Sequence, residues 1–346
     1  MNTKRTSNLL RSIAFFLTGV ILVCTFGFTV DGWLVGDEDT PTEDFPADGE
    51  ISQDIVPDVP LEEEKVIYYN KITGLETGEE LSDVAPLAYV MEMNSPLFGL
   101  SGADIVIDIP TEGENRLLTI RTDNRNLWKI GAMAPGRGYI SSLAGFFGAS
   151  LISLGRDDII EYDSCVPPSV VDAGEISYKE YNSYTYTNSD LLKGSVTLHE
   201  FDVTLPYTHA EIGENIILDT PAAKAKFEDT ELVYDEETSN YIWYENGEAQ
   251  RDLINGKALS FANCLILFAD SVIYDNQSGT QMVMNTIGTG SGYYLTSGTY
   301  TKINYTSSQG GSMTFYSETG EQLTINRGEI YIRYLKSSTK NQITIY

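Results

Sequence analysis

Nineteen residues from Ser12 to Val30 run without a single charged side chain, and most of them are apolar. Lys4, Arg5 and Arg11 stand before this run, and an acidic stretch bearing prolines follows it. As a helix rising 1.5 Å per residue, the run spans about 28 Å, close to the thickness of a bilayer's hydrocarbon core. A basic flank stays on the cytoplasmic side, so the acidic side is expected outside the cell. Residues 1–11 are therefore expected in the cytoplasm and residues 12–30 in the cell membrane as a single-pass signal anchor. The folded remainder is expected to be extracytoplasmic.

Three fates of the run stay open. A removable signal wants an A-x-A-like cleavage site, and only Thr25 and Gly27 offer small residues at that spacing. Lipidation at Cys24 wants a small residue just before the cysteine, where bulky Val23 stands. An uncleaved anchor fits the pattern best.

Residues 31–65 read as an acidic, proline-rich linker. From Asp37 to Glu64 there are twelve acidic residues and no Lys or Arg, with Pro41, Pro46, Pro57 and Pro60 among them. Such a segment cannot bury enough apolar surface to offset its ordering entropy, so a disordered spacer is expected. The whole chain carries a net charge of −28, a sign that repels phosphate backbones and argues against nucleic acid as a partner. Three cysteines make no disulfide framework. Cys264 opens an apolar strand-like run and is expected to be a small buried hydrophobe, with a bridge to Cys165 as the other reading.

The globular pattern begins near residue 66. The segment 104–109 reads as a short strand or a turn-like apolar segment, and strands are expected at 86–91, 117–121 and 149–154. Between the last two, apolar residues at 139, 140, 143, 146 and 147 have helical spacing over 138–148. Strand, helix and strand in succession point to an α/β lobe over residues 66–210. The second half is dominated by short strands separated by Gly, Asn and Ser. A hairpin is expected from Glu231–Tyr234 and Tyr241–Tyr244. Further strands are expected at 263–269, 281–286, 292–296, 299–305, 313–316, 322–325 and 330–335. The expected fold class is α+β: one amino-terminal transmembrane helix, the α/β lobe, then a mostly antiparallel β lobe over 211–346.

Signatures of chemistry are sparse. The chain has two histidines, His199 and His209, and lacks HExxH, CxxC and zinc-ligand spacings, so neither a metal nor a cofactor is expected. A G-x-S-x-G nucleophile elbow is also missing. Gly288-Thr289-Gly290-Ser291-Gly292 lacks the features of a phosphate loop and reads as a flexible turn. Glu112 lies four residues before Arg116 on a loop between two strands, where the two could orient a polar ligand or simply fix the loop. Arg137 precedes the expected helix, where it either completes an anion pocket at the helix start or tethers the loop to a strand. Tyr184 and Tyr186 are expected on one strand face, suited to stacking against sugar or peptide, or present as ordinary strand formers.

Taken in order, several segments resemble the YerB-like lipoprotein family, which carries a domain of unknown function in two parts. The matching stretches are Asn70–Leu75, Gly99–Val106, Glu112-Gly113 through Arg116, Tyr234–Glu237 with Tyr241, Asn246-Gly247, Gly290–Tyr293, Phe315–Gly320 and Asn326–Gly328. The likeness covers roughly residues 67–338. Family members usually have an Arg-Ser-Ala-Arg-like helix start, where this chain has Ala134 first and Arg137 last. A Pro-His-Asn-Leu-Tyr-Thr pattern is replaced by Glu180–Thr185, and a His-x-Asp pattern by Gln250-Arg251-Asp252. The resemblance implies a lipid anchor, in place of which a helix is expected here. It also implies a shared groove, and what persists there is Glu112, Arg116, Arg137, Asn182 and Tyr184, with the histidines lost.

That inventory suits binding better than catalysis. The expectation is a membrane-anchored envelope module that binds or scaffolds, with a cell-wall polymer or an envelope protein as partner. The alternative is a cell-wall-directed hydrolase or transferase in which Glu112 acts as acid or base beside Arg116 and Arg137. A purely structural assembly protein is the third reading.

Overall fold

The computed structural model describes residues 66–346 apart from 79, 82, 160–165 and 182. The expected anchor at 12–30, the linker at 31–65, Cys165 and Asn182 lie outside the described residues. In chain order, the first elements that frame the site are β1 (Leu87–Glu92), β2 (Ile105–Ile109), β3 (Arg116–Arg121) and β4 (Ile130–Gly131). They are followed by α1 (Gly138–Phe146), β5 (Ser150–Ser153), β6 (Val170–Asp172), β7 (Tyr178–Glu180) and β8 (Tyr184–Thr187). Next come β9 (Lys224–Phe227), β10 (Thr230–Asp235), β11 (Asn240–Glu245), β12 (Asn263–Ala269), β13 (Ser271–Asn276) and β14 (Gly279–Met284). The last are β15 (Gly288–Thr296), β16 (Thr299–Ser307), β17 (Met313–Ser317) and β18 (Ile330–Lys336).

An 11-stranded mixed sheet organises the fold. Its order is Thr220–Pro221, β16, β15, β12, β18, β2, β3, β1, β5, β6, with β17 paired to β16. β18 lies parallel to both β12 and β2, which puts Ile330 opposite Ile105. The sheet is thus continuous across the expected lobe boundary at residues 210 and 211, and the described residues form one compact unit.

Side chains alternate across a strand, so an unbroken apolar run means that both faces of the sheet are covered. In β1, Ala88 and Val90 enter one core, while Leu87, Tyr89 and Met91 enter the other. β12 divides in the same way, with Leu265 and Leu267 on one side and Cys264, Ile266 and Phe268 on the other. The first face is covered by Tyr139, Ile140, Leu143 and Phe146 of α1 and by Met282 and Met284 of β14. The second face is covered by Phe227, Leu232, Tyr241 and Trp243 of the smaller antiparallel sheet built on β9, β10 and β11. Each such side chain contributes about 1.5–3 kcal/mol on burial. Cys264 is a free, fully buried thiol.

The protein is mostly β, with few short helices. The expected α/β lobe comes down to α1, the one α-helix of more than four residues among the described residues. Other apolar runs in that half lack helical spacing, and strands take them up. The expected hairpin is β10 and β11, paired in register from Thr230↔Glu245 to Asp235↔Asn240. Gly288–Gly292 requires a correction, because it forms the first half of β15 and not a turn. A Cβ at Gly290 would lie 2.3 Å from the Tyr305 ring, and one at Gly292 would lie 2.3 Å from the Ile266 carbonyl oxygen. Glycine serves there for close approach by neighbouring strands.

Candidate functional site

The turn between β2 and β3, the start of β3, the residues just beyond β5 and the start of α1 bring together four charges that the sequence scatters over forty-odd positions. Arg137 precedes α1 in extended backbone conformation and is 4% exposed. Its Nη1 and Nη2 each donate to a Glu112 carboxylate oxygen at 2.6 Å, and its Nε donates to Asp157 Oδ1 at 2.9 Å. Arg116, the first residue of β3, makes a two-pronged contact with Asp157 and donates to the Pro135 carbonyl at 2.8 Å. Glu112 Oε2 also accepts the Met282 backbone N–H at 3.1 Å, which pins the β13–β14 hairpin to this cluster.

The network is closed, with two cations matching two carboxylates. Burial pushes the Glu112 carboxyl up, but the Arg137 bonds and backbone N–H donors outweigh it and hold its pKa at about 2. Asp157 is likewise held at about 2, burial being overcome by its bonds to Arg116 and Arg137. Burial disfavours the charged form of Arg137, and its two carboxylate partners more than reverse that. The start of α1 is occupied as well, because the Gly138 N–H donates to Asp158 Oδ1 at 3.0 Å. The anion that this helix start attracts therefore belongs to the chain itself.

The pairing expected between Glu112 and Arg116 does not form. Four-residue spacing aligns two charges on a helix, whereas these residues flank a hairpin turn, and each finds a different partner. Asp157, which completes the cluster, was not legible from the sequence. Its only signal is its place in Arg156-Asp157-Asp158, just beyond β5.

A cleft of about 390 Å³ lies alongside, lined by Glu92, Met133, Leu154, Tyr178, Lys179, Tyr184 and their neighbours. Glu92 ends β1 directly opposite Arg116 of β3, so the cleft begins where the ionic cluster stops. Its carboxylate makes no hydrogen bond or ion pair among the described residues. Burial raises the Glu92 pKa above its ordinary value, Arg116 lowers it and Glu114 raises it, with a net rise. Sequence inspection also missed Glu92, although a lone carboxylate between Met91 and Met93 at a strand end was a usable signal.

Of the five residues singled out by sequence, Glu112, Arg116 and Arg137 meet in the cluster, and Tyr184 lines the cleft. Asn182 lies outside the described residues. Tyr184 and Tyr186 do share a packed cluster with Phe98, Ala132 and Tyr178, but Tyr186 is fully buried and leaves Tyr184 to face the cleft. Asp252, at the position of the lost His-x-Asp pattern, is buried. It accepts the N–H groups of Gly99 and Ser101 and the Ser101 hydroxyl, clamping one part of the chain to another. Among the described residues, no group of three or more His, Cys, Asp or Glu could hold a metal ion.

Residues 220–332 match the family described as protein of unknown function (DUF3048), C-terminal domain. The fold matches the crystal structure of the YerB protein from Bacillus subtilis with a TM-score of 0.66. That match covers 80% of this chain and 99% of the YerB chain at 20% identity. The YerB-like resemblance holds. At that identity, the structural likeness shows the fold alone. No curated protein matches the chain in sequence.

Proposed function

We propose that this YerB-like protein is an extracytoplasmic binding or scaffolding module, anchored in the cell membrane by residues 12–30. In this reading its ligand, a cell-wall polymer or an envelope protein, is met in the cleft of Glu92, Tyr178 and Tyr184. One observation carries the preference for binding over catalysis: Glu112 is fully engaged. A carboxyl held at about 2, with both oxygens bonded to Arg137, has no proton to give at neutral pH and is a poor base. The hydrolase or transferase reading built on Glu112, Arg116 and Arg137 therefore lacks its acid–base group. The charge-free run and its basic flank support the anchor. Among the described residues, no helix is long and apolar enough to cross a membrane.

Membrane fractionation followed by pull-down tests the proposal. The full chain, extracted in mild detergent, is exposed to purified envelope polymers and envelope proteins, with Tyr184→Ala as the variant. The expected result is recovery in the membrane fraction, and retention that falls about tenfold in the variant. Recovery of the intact chain from soluble cytosol, or equal retention by Tyr184→Ala, overturns the proposal.

A further inference from the structure

The cleft contains an imbalance that the fold resolves elsewhere. Other withdrawn carboxylates of the fold are matched: Asp157, beside the cleft, by two arginines, and Asp104, at the far end of β3, by Asn70 and Thr122. Glu92 is half-buried and has no such partner. Arg116, across the β1–β3 ladder, is committed to Asp157 and to the Pro135 carbonyl. Lys179 also lines the cleft, on exposed β7, and makes no bond to Glu92. A carboxylate partly withdrawn from water without a bonded cation is unfavourable, and an arriving cation relieves that condition.

A cage built against the adjoining β7–β8 pair shows which kind of cation this part of the fold accommodates. The Lys129 ammonium is ion-paired to Glu180 and lies over the rings of Phe98 at 4.5 Å, Tyr181 at 4.8 Å and Tyr186 at 5.1 Å. Trp128 at 5.2 Å and Tyr178 at 5.9 Å complete that aromatic cage. One carboxylate and several ring faces thus hold an ammonium that is almost entirely buried. Tyr178 belongs both to this filled cage and to the cleft, where Glu92 and Tyr184 repeat the combination with no cation of the described residues bonded to the carboxylate.

We infer that the cleft recognises a primary ammonium group, paired to Glu92 and packed against Tyr178 and Tyr184. An amino sugar and a lysine-like side chain of a peptide both present that chemistry. The inference rests on the binding role proposed for the cleft and names what is bound there.

Calorimetric titration of the full chain in detergent tests it. The probes are glucosamine against N-acetylglucosamine, and Nα-acetyl-lysine methylamide against its Nε-acetylated form. The expected result is binding of at least one amine, weakened about tenfold by acetylation of the amine and about tenfold by Glu92→Gln. Preference for glucosamine identifies an amino sugar, and preference for the lysine compound identifies a peptide. Equal binding of amine and acetylated probes overturns the inference, as does failure of every probe. The probe comparison uses the unaltered protein, so it stands whether or not Glu92→Gln folds. Loss of envelope retention in Tyr184→Ala with indifference to amine acetylation removes the ammonium assignment alone. Retention unaffected by Tyr184→Ala removes the binding role itself.

Discussion

Glu112 and Glu92 lie on either side of Arg116 and have opposite circumstances. Glu112 is bonded twice by Arg137 and once by the Met282 N–H, and its carboxyl is pulled down to about 2. Glu92 has no bonded partner, and its carboxyl is pushed up by burial. A folding role and a binding role leave different electrostatic marks. A carboxylate that stabilises the fold is compensated within the chain, while one that serves a ligand leaves its compensation to the ligand.

The sharpest way to break this contrast is Arg137→Ala. It strands Glu112 and half of Asp157's bonding, and a loss of about 3–5 kcal/mol in urea unfolding is expected. A loss under 1 kcal/mol would show the cluster to be ornamental. The next effect is on pH dependence. Glu112 and Asp157 titrate near 2 in the folded chain, against ordinary values of 4.5 and 3.8. Their stabilisation is complete above the ordinary values and drains away as pH falls from about 4.5 toward 2. Melting temperature followed over that window should fall less steeply in Glu112→Gln than in the parent, once the variant's lower starting point is subtracted.

Glu92→Gln should behave oppositely. A raised carboxyl weakens the fold as pH rises through its titration, so removing the charge leaves neutral-pH stability unchanged or raised by less than about 1 kcal/mol. A clear destabilisation would place Glu92 with the structural carboxylates. Smallest of all is Tyr184→Phe, whose hydroxyl makes no hydrogen bond among the described residues. Its unfolding midpoint should correspond to a change below about 0.5 kcal/mol.

Much of the fold could be read from the sequence, because apolar runs and turn residues are local signals. The run 263–269 coincides with β12, and the spacing at 139, 140, 143 and 146 marks α1. Local rules failed where a distant residue decides. Gly290 and Gly292 look like a turn until Tyr305 and the Ile266 carbonyl occupy the space that side chains would need. Glu112 and Arg116 look like a pair until Arg137 and Asp157 claim them. The candidate site was half legible for the same reason. Residue types suited to it were visible, whereas the choice of partner depends on strand register, which one chain's spacing does not encode.

The parallel ladder between β2 and β18 also governs when the protein becomes itself. Ile105 emerges during synthesis long before its neighbour Ile330, so the middle of the sheet has a gap until β18 has been made. A nascent chain released before that point keeps raw strand borders at β2 and β12, ready to seize any passing β segment. Contacts so far apart in sequence also slow assembly. A custodian that shields those borders on the way to the finished fold therefore matters more for this molecule than for one built from neighbouring hairpins.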